Sequence, residues 1–219
     1  QGDAAIVAKV KGYEKFLKEA LDIEIGETKT QLDSRRNTVR TREAAIGNLI
    51  ADAMLEGVDA EIAIANGGGI RAKKIYAPST MITRRDIQTE LPFGNVVVKL
   101  GLKGSQIWEA LENGVSQVEQ NAGRFPQVSG MSFTWNPKAE VGSRVVSVEI
   151  GGQPLSKYKT YTLATNDFLA KGGDGYSVFK KGKVIIDASG AKLMAGMVMD
   201  YIKAKGSVSP KVEGRIVAQ

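Results

Sequence analysis

The 219 residues include neither a cysteine nor a histidine, and this double absence constrains the chain more than any motif. Without cysteine there are no disulfides, zinc knuckles or thiol nucleophiles. Stability must then come from a buried core, and a chain this long can bury a sizeable one, as one large domain or one domain plus a linker. Hydrophobic residues make up 42% and charged residues 25%, which suits an ordinary globular protein, and no apolar run is long enough to cross a bilayer. Without histidine a Ser-His-Asp triad is excluded. Dinuclear metallophosphatase sites normally mix imidazoles with carboxylates, so only a carboxylate-only metal site stays open. If the chain belongs to a hydrolase, the hydrolytic chemistry is expected elsewhere in the polypeptide. Gln1 opens directly into polar sequence with no export signal, as a mature or trimmed chain also would.

The formal net charge is +6 and the pI about 9.4. A basic balance suits an anionic partner, or simply solubility. Lys and Arg are dispersed, which favours a local anion site over a platform for a nucleic-acid polymer.

Apolar spacing predicts an amphipathic helix over residues 4–21 through Ile6, Val10, Tyr13, Leu17 and Leu21. The period changes to two at Asp22–Glu27, predicting a strand. Further helices are expected over 43–57, ended by Gly57, over 104–119 and over 189–204. Thr83 is placed to cap a short helix with Asp86 in its first turn. Strands are expected at 61–65, 96–100, 133–135 and 145–150. Gly151-Gly152 signals a hairpin turn with 158–165 as its returning strand. Helices and strands mix without a strict βαβ rhythm, so the predicted class is α+β with a mixed β-sheet and flanking helices.

Several segments carry candidate chemistry. Asn66-Gly67-Gly68-Gly69-Ile70-Arg71 leaves a buried strand; its glycines allow positive φ and close ligand approach, and Arg71 adds a planar fork for phosphate or carboxylate. It reads equally well as a tight structural turn. Arg35, Arg36 and Arg40 precede a helix; Arg36 and Arg40 share a face if the segment turns helically, although a solvated basic loop is the simpler local reading. Phe93, in Pro92-Phe93-Gly94-Asn95, and Phe168, ahead of Gly172-Gly173-Asp174-Gly175-Tyr176, sit in loops beside glycines. Each alone could plug a small cluster; together they could sandwich a planar base. Asp174 could accept hydrogen bonds from a vicinal diol, or serve an Asp turn. Calcium is disfavoured by the few oxygen ligands nearby. Trp108 and Trp135 read as packing residues.

Taken in order, Arg36 to Arg40, Gly47-Asn48-Leu49-Ile50-Ala51-Asp52-Ala53, Asn66 to Arg71, Leu91 to Asn95, Asn166 to Tyr176 and Gly214-Arg215-Ile216 resemble the C-terminal domain of the 5'-nucleotidase and UDP-sugar hydrolase family. The resemblance implies a layered α/β/β/α domain over 27–219, preceded by a linker helix and connector over 1–26. It implies a nucleotide or nucleoside ligand, with Phe93 and Phe168 on the faces of the base and Asn66 and Asn95 near its polar groups. Asp174 would take the ribose hydroxyls, and Arg36, Arg40 and Arg71 the phosphate side, with Gly68 in the same loop. It further implies an N-terminal metallophosphoesterase domain in the same polypeptide, bearing two divalent metal ions and the catalytic residues, none of which fall in this chain. The expected function is the substrate-binding part of a secreted bacterial 5'-nucleotidase, periplasmic, secreted or cell-wall associated, with the chain alone inactive. Alternatives are a domain of a 2',3'-cyclic nucleotide phosphodiesterase, a UDP-sugar hydrolase or a thiosulfohydrolase, or a non-enzymatic nucleotide-binding module. One position departs from the family pattern: Ala45 stands where asparagine is usual, which bears on packing or domain contacts near the hinge.

Overall fold

The structure, a computed structural model, describes Ile6, Val7, Lys9 and residues 19–219. The helix expected over 4–21 therefore lies mostly outside the described residues.

A strand buried at every position has to be covered on both faces, and β3 (Ile62–Asn66), apolar up to its final asparagine, is such a strand. Ile62 and Ile64 point into one core cluster, Ala63 and Ala65 into the other. It lies inside a five-stranded sheet whose order is β12 (Lys183–Ile186), β6 (Val97–Lys103), β11 (Thr160–Asn166), β3 and β7 (Pro126–Ser129). The β11–β3 pairing is parallel and the other pairings are antiparallel. On one face, α1 (Ala45–Val58) and α2 (Met194–Lys205) close the first cluster. On the other, β8 (Met131–Trp135) and β9 (Val145–Ile150) form a second sheet with β10 (Gln153–Pro154) and β14 (Ile216–Ala218), and α3 (Gly104–Gly114) joins them over the second cluster. Trp135 meets Phe125 edge-on there, ring centroids 6.4 Å apart. The fold is thus α+β with mixed sheets.

Several local expectations change for physical reasons. Gly57 does not end α1: the left-handed residue is Asp59, φ 50°. Gly57 instead lets α2 approach, since a Cβ there would collide with the Met197 side chain. The helix expected from 189 starts at Met194, because the Asp187 carboxylate accepts from the amides of Ser189 and Gly190 and holds a turn. The helix expected to 119 stops at Gly114; Arg144 then takes the Val115 carbonyl. Gly151 and Gly152 do make a hairpin turn, both at positive φ. Its return, however, is the two-residue β10, while the residues expected to return run in β11 at the centre of the other sheet. Thr83 caps its helix as expected, and Asp86 returns the contact to the Thr83 backbone, completing a capping box.

Two polar anchors, one buried and one half-buried, tie the C-terminal segment to this frame. Glu43, 3% exposed, accepts from the Asn48 amide at 2.7 Å and from the backbone N–H groups of Glu213, Gly214 and Ile216. Arg215 grips Asp52 through both carboxylate oxygens, at 2.6 and 3.1 Å. Nearby, Asp33 accepts from the Arg35 side chain and backbone and from the Thr38 hydroxyl, bracing the turn that carries Arg36. Its hydrogen bonds to Arg35 outweigh the effect of burial and hold its pKa down at about 2, from an ordinary 3.8.

Truncating Glu43 orphans several donors at once. Glu43→Ala is therefore expected to cost about 3 kcal/mol, read as a lower urea midpoint with an unchanged slope; a loss below about 1 kcal/mol would mean that Arg215 and β14 hold the C-terminal segment unaided. Because the Asp33 pKa is depressed on folding, its contribution is present above pH ~4 and fades as pH falls towards 2. The stability gap between the protein and Asp33→Asn, followed by denaturant titration from pH 6 to 2, is expected to close over that window.

Candidate functional site

Four loops converge at one end of the five-stranded sheet. The parallel strands β3 and β11 finish there at Asn66 and Asn166, while β6 and β7 begin there, with Asn66 opposite Pro126 and Asn166 opposite Val97. Adjacent strand ends of this kind leave a crevice beyond the sheet. Here it is a cleft of about 390 Å³, within the range of small-molecule sites.

Asn166 accepts the Leu169 N–H on its side-chain oxygen and so starts a short helical turn, Asp167–Ala170, that carries Phe168. Phe168 therefore lies in a helix, not a loop. Its ring rests against Gly173, where a Cβ would come within 2.5 Å of the ring tip. Phe93 projects from the Pro92–Gly94 turn, with the Arg71 guanidinium 5.4 Å from its ring centroid. The rings are 59% and 43% exposed and both line the cleft; neither is a plug beneath its loop.

The three glycines after Asn66 form a 3-10 turn without positive φ. Their role is close approach: a Cβ on Gly67 would collide with the Val39 carbonyl, and one on Gly68 would reach Gly123 Cα at 2.7 Å. The amides of Gly67 and Gly68 donate to the carbonyls of Phe125 and Gly123, so they are not offered to a ligand. Asn166 donates its amide to Asn66 at 3.1 Å, and Asn66 donates in turn to Asp174 Oδ2 at 2.7 Å. Asp167 accepts from the Asn95 amide at 3.0 Å and turns that side chain.

Arg40 is the electrostatic centre. It is 8% exposed, donates to the Asn121 carbonyl at 3.1 Å, and leaves its buried Nε without a partner. Among the described residues no carboxylate lies within ion-pairing distance of it. Burial, then the charges of Arg36 and Arg71, push its pKa down, offset in part by Asp174. A buried guanidinium short of partners is costly unless an anion joins it.

Of the residues singled out in the sequence, Arg40, Asn66, Gly68, Arg71, Phe93, Asn95, Phe168 and Asp174 line this one cleft. Arg36 does not line it, but acts electrostatically on Arg40. Gly69 and Gly123 line it as well. The sequence alone marks neither Gly123 nor the fully buried Gln127, and it gives Asn166 a place in a motif but no role of its own. The Gln127 amide donates to the Val39 and Arg42 carbonyls and accepts the Ala44 N–H, which fixes the arginine-bearing segment on β7. No local pattern marks a glutamine for that task. Among the described residues, no group of three or more acidic side chains could hold a metal ion.

Comparison with known proteins agrees with this architecture. A family profile described as "5'-nucleotidase, C-terminal domain" matches residues 24–181. The chain is 40% identical over 214 residues to the trifunctional nucleotide phosphoesterase protein YfkN of Bacillus subtilis, covering 93% of this chain and 14% of that protein. It is 34% identical over 236 residues to the snake venom 5'-nucleotidase of Naja atra, covering 99% of this chain and 44% of the relative. The crystal structure of a 5'-nucleotidase precursor from Thermus thermophilus superposes with a TM-score of 0.87 at 40% identity, over 95% of this chain and 42% of that one. The chain spans less than half the length of each of these relatives. With the profile covering most of the fold and four of the six ordered motifs contributing to one cleft, the chain belongs to the 5'-nucleotidase family and carries its C-terminal domain.

Proposed function

We propose that the cleft binds nucleosides and nucleoside 5'-phosphates, making this the substrate-binding domain of a secreted bacterial 5'-nucleotidase that releases nucleoside and phosphate. The observation that carries the proposal is the pairing of opposite chemistries in one cleft: two exposed phenyl rings, and a buried arginine short of hydrogen-bond partners. Phe93 and Phe168 would stack on the two faces of the base. Asp174, whose Oδ2 is engaged by Asn66, keeps Oδ1 for ribose hydroxyls. Asn95 and the remaining N–H of Asn66 reach polar groups near the base. Arg40, assisted by Arg36 and Arg71, takes the phosphate side.

Binding energy gathered on the base and ribose, away from phosphorus, serves to position the phosphate. The chemistry itself is assigned outside these residues. A dinuclear metal centre on an N-terminal metallophosphoesterase domain would supply the activated water and charge stabilisation. This chain has no histidine and no acidic cluster among its described residues to hold such a centre. Export to the periplasm, cell wall or medium is part of the proposal and rests on the family. The two aromatic walls favour a base over the small anion of a thiosulfohydrolase, whereas a cyclic nucleotide or UDP-sugar carries the same base and would use the same cleft.

Calorimetric titration with adenosine and AMP tests the reading. Phe93→Ala and Phe168→Ala are each expected to cost about 1–3 kcal/mol of stacking, roughly 5- to 150-fold in Kd for both ligands. Arg40→Met is expected to weaken AMP at least tenfold while leaving adenosine within about twofold. Variants of both rings that bind like the parent protein would remove the base sandwich. Purified chain supplied with divalent metal is expected to leave AMP intact, and contaminant-free turnover would move the chemistry into this domain.

A further inference from the structure

Asp174 sits in an uncommon backbone state, φ 52° and ψ 25°, between Gly172 and Gly175, which are also at positive φ. For a residue with a Cβ this left-handed state is sparsely populated and needs support from its surroundings. The support comes from outside the turn. Asn113, near the end of α3, donates its side-chain amide to the Asp174 carbonyl at 3.1 Å. Its oxygen accepts from Arg124 at 3.2 Å, and Arg124 also reaches the Ser116 hydroxyl at 3.1 Å. The Arg124 carbonyl accepts the fully buried Tyr176 hydroxyl at 2.7 Å, so the segment after the turn is tied to the same residue. The contact is close: a Cβ on Gly175 would meet Asn113 Oδ1 at 2.5 Å and the Arg124 guanidinium at 3.4 Å.

Asp174 is thus gripped at two points. Asn66 holds the carboxylate and Asn113 holds the backbone. One grip leaves the side chain free to pivot; both together aim Oδ1. Asn113 and Arg124 do not line the cleft themselves.

We propose that Asn113, braced by Arg124, is a positioning residue for Asp174 and thereby sets the discrimination between a ribose diol and a sugar lacking it. The inference rests on Asp174 being the ribose acceptor. Asn113 makes one donor contact to the carbonyl and one acceptor contact to arginine, and the two can be separated by substitution. Asn113→Asp keeps the acceptor for Arg124 and loses the donor to Asp174, while Asn113→Ala loses both.

The test is calorimetric titration of the 219-residue chain with adenosine and with 2',3'-dideoxyadenosine, which share the base and differ in the diol. The parent protein is expected to prefer adenosine about tenfold, the size of one hydrogen bond to a charged group, and Asp174→Asn is expected to abolish that preference. Asn113→Asp and Asn113→Ala are expected to reduce it to about twofold while dideoxyadenosine binds as before. The Asp174→Asn, Asn113→Ala double variant should lose nothing further, because both act through one carboxylate. Equal weakening of both ligands in the Asn113 variants, or no change in either, overturns the proposal and leaves Asn113 a structural residue. An adenosine preference that survives Asp174→Asn overturns the ribose reading, and the proposal with it; that result is distinguishable because the phenylalanine variants would still weaken both ligands.

Discussion

Strands β3 and β11 lie side by side, parallel and buried, and each ends in an asparagine. The Asn166 amide meets the Asn66 oxygen across that gap, and the cleft is arranged around this contact. Both side chains are nearly inaccessible to solvent, where an unmade hydrogen bond is expensive. The pair therefore admits few alternative arrangements. From it, Asn166 starts the turn that presents Phe168, and Asn66 passes its second contact to Asp174. The aromatic wall and the acidic corner of the cleft thus depend on the register of two strands.

The basic side of the cleft is held differently. Gln127 on β7 fastens the backbone of the segment carrying Arg36 and Arg40, and Gly67 lets that segment come within backbone contact of the sheet end. The loop from Asn121 to Phe125 completes the closure. Its carbonyls take Arg40, Gly68 and Gly67, and its Arg124 braces Asn113. One loop without obvious sequence character thus touches both the cationic and the acidic ends of the cleft. Among the described residues Arg40 has no carboxylate within ion-pairing distance, and the charges of Arg36 and Arg71 add to the cost of its burial.

Much of the framework was legible in the sequence. The apolar period marked α1, the Thr83–Asp86 spacing marked a capped helix, and Gly151-Gly152 marked a hairpin. Phe93 and Phe168 stood out because large aromatics in glycine-flanked segments are less typical of core than aromatics in strands, although Phe168 proves to lie in a short helical turn. What the sequence could not show is instructive in each case. Gly57 looked like a helix terminator because end signals and packing sites use the same residue; only the partner side chain of Met197 distinguishes them. The residues of β11 looked like the return of a hairpin because adjacency in sequence is the default expectation, whereas their pairing with β6 and β3 is decided by burial on both faces. Gln127, Asn113 and Gly123 carry no local signal, since their partners lie far away along the chain.

By itself the sequence determined the α+β class, the absence of histidine and cysteine chemistry, the placement of most helices and strands, and the residue types available for stacking and for anions. These properties follow from composition and from short-range periodicity, which are local. Only the tertiary structure decided which of those residues share a cleft, which hydrogen-bonding groups are already committed, and which arginine buries a nitrogen without a partner. Those properties depend on long-range strand pairing and on burial, and neither exists until the chain has closed on itself.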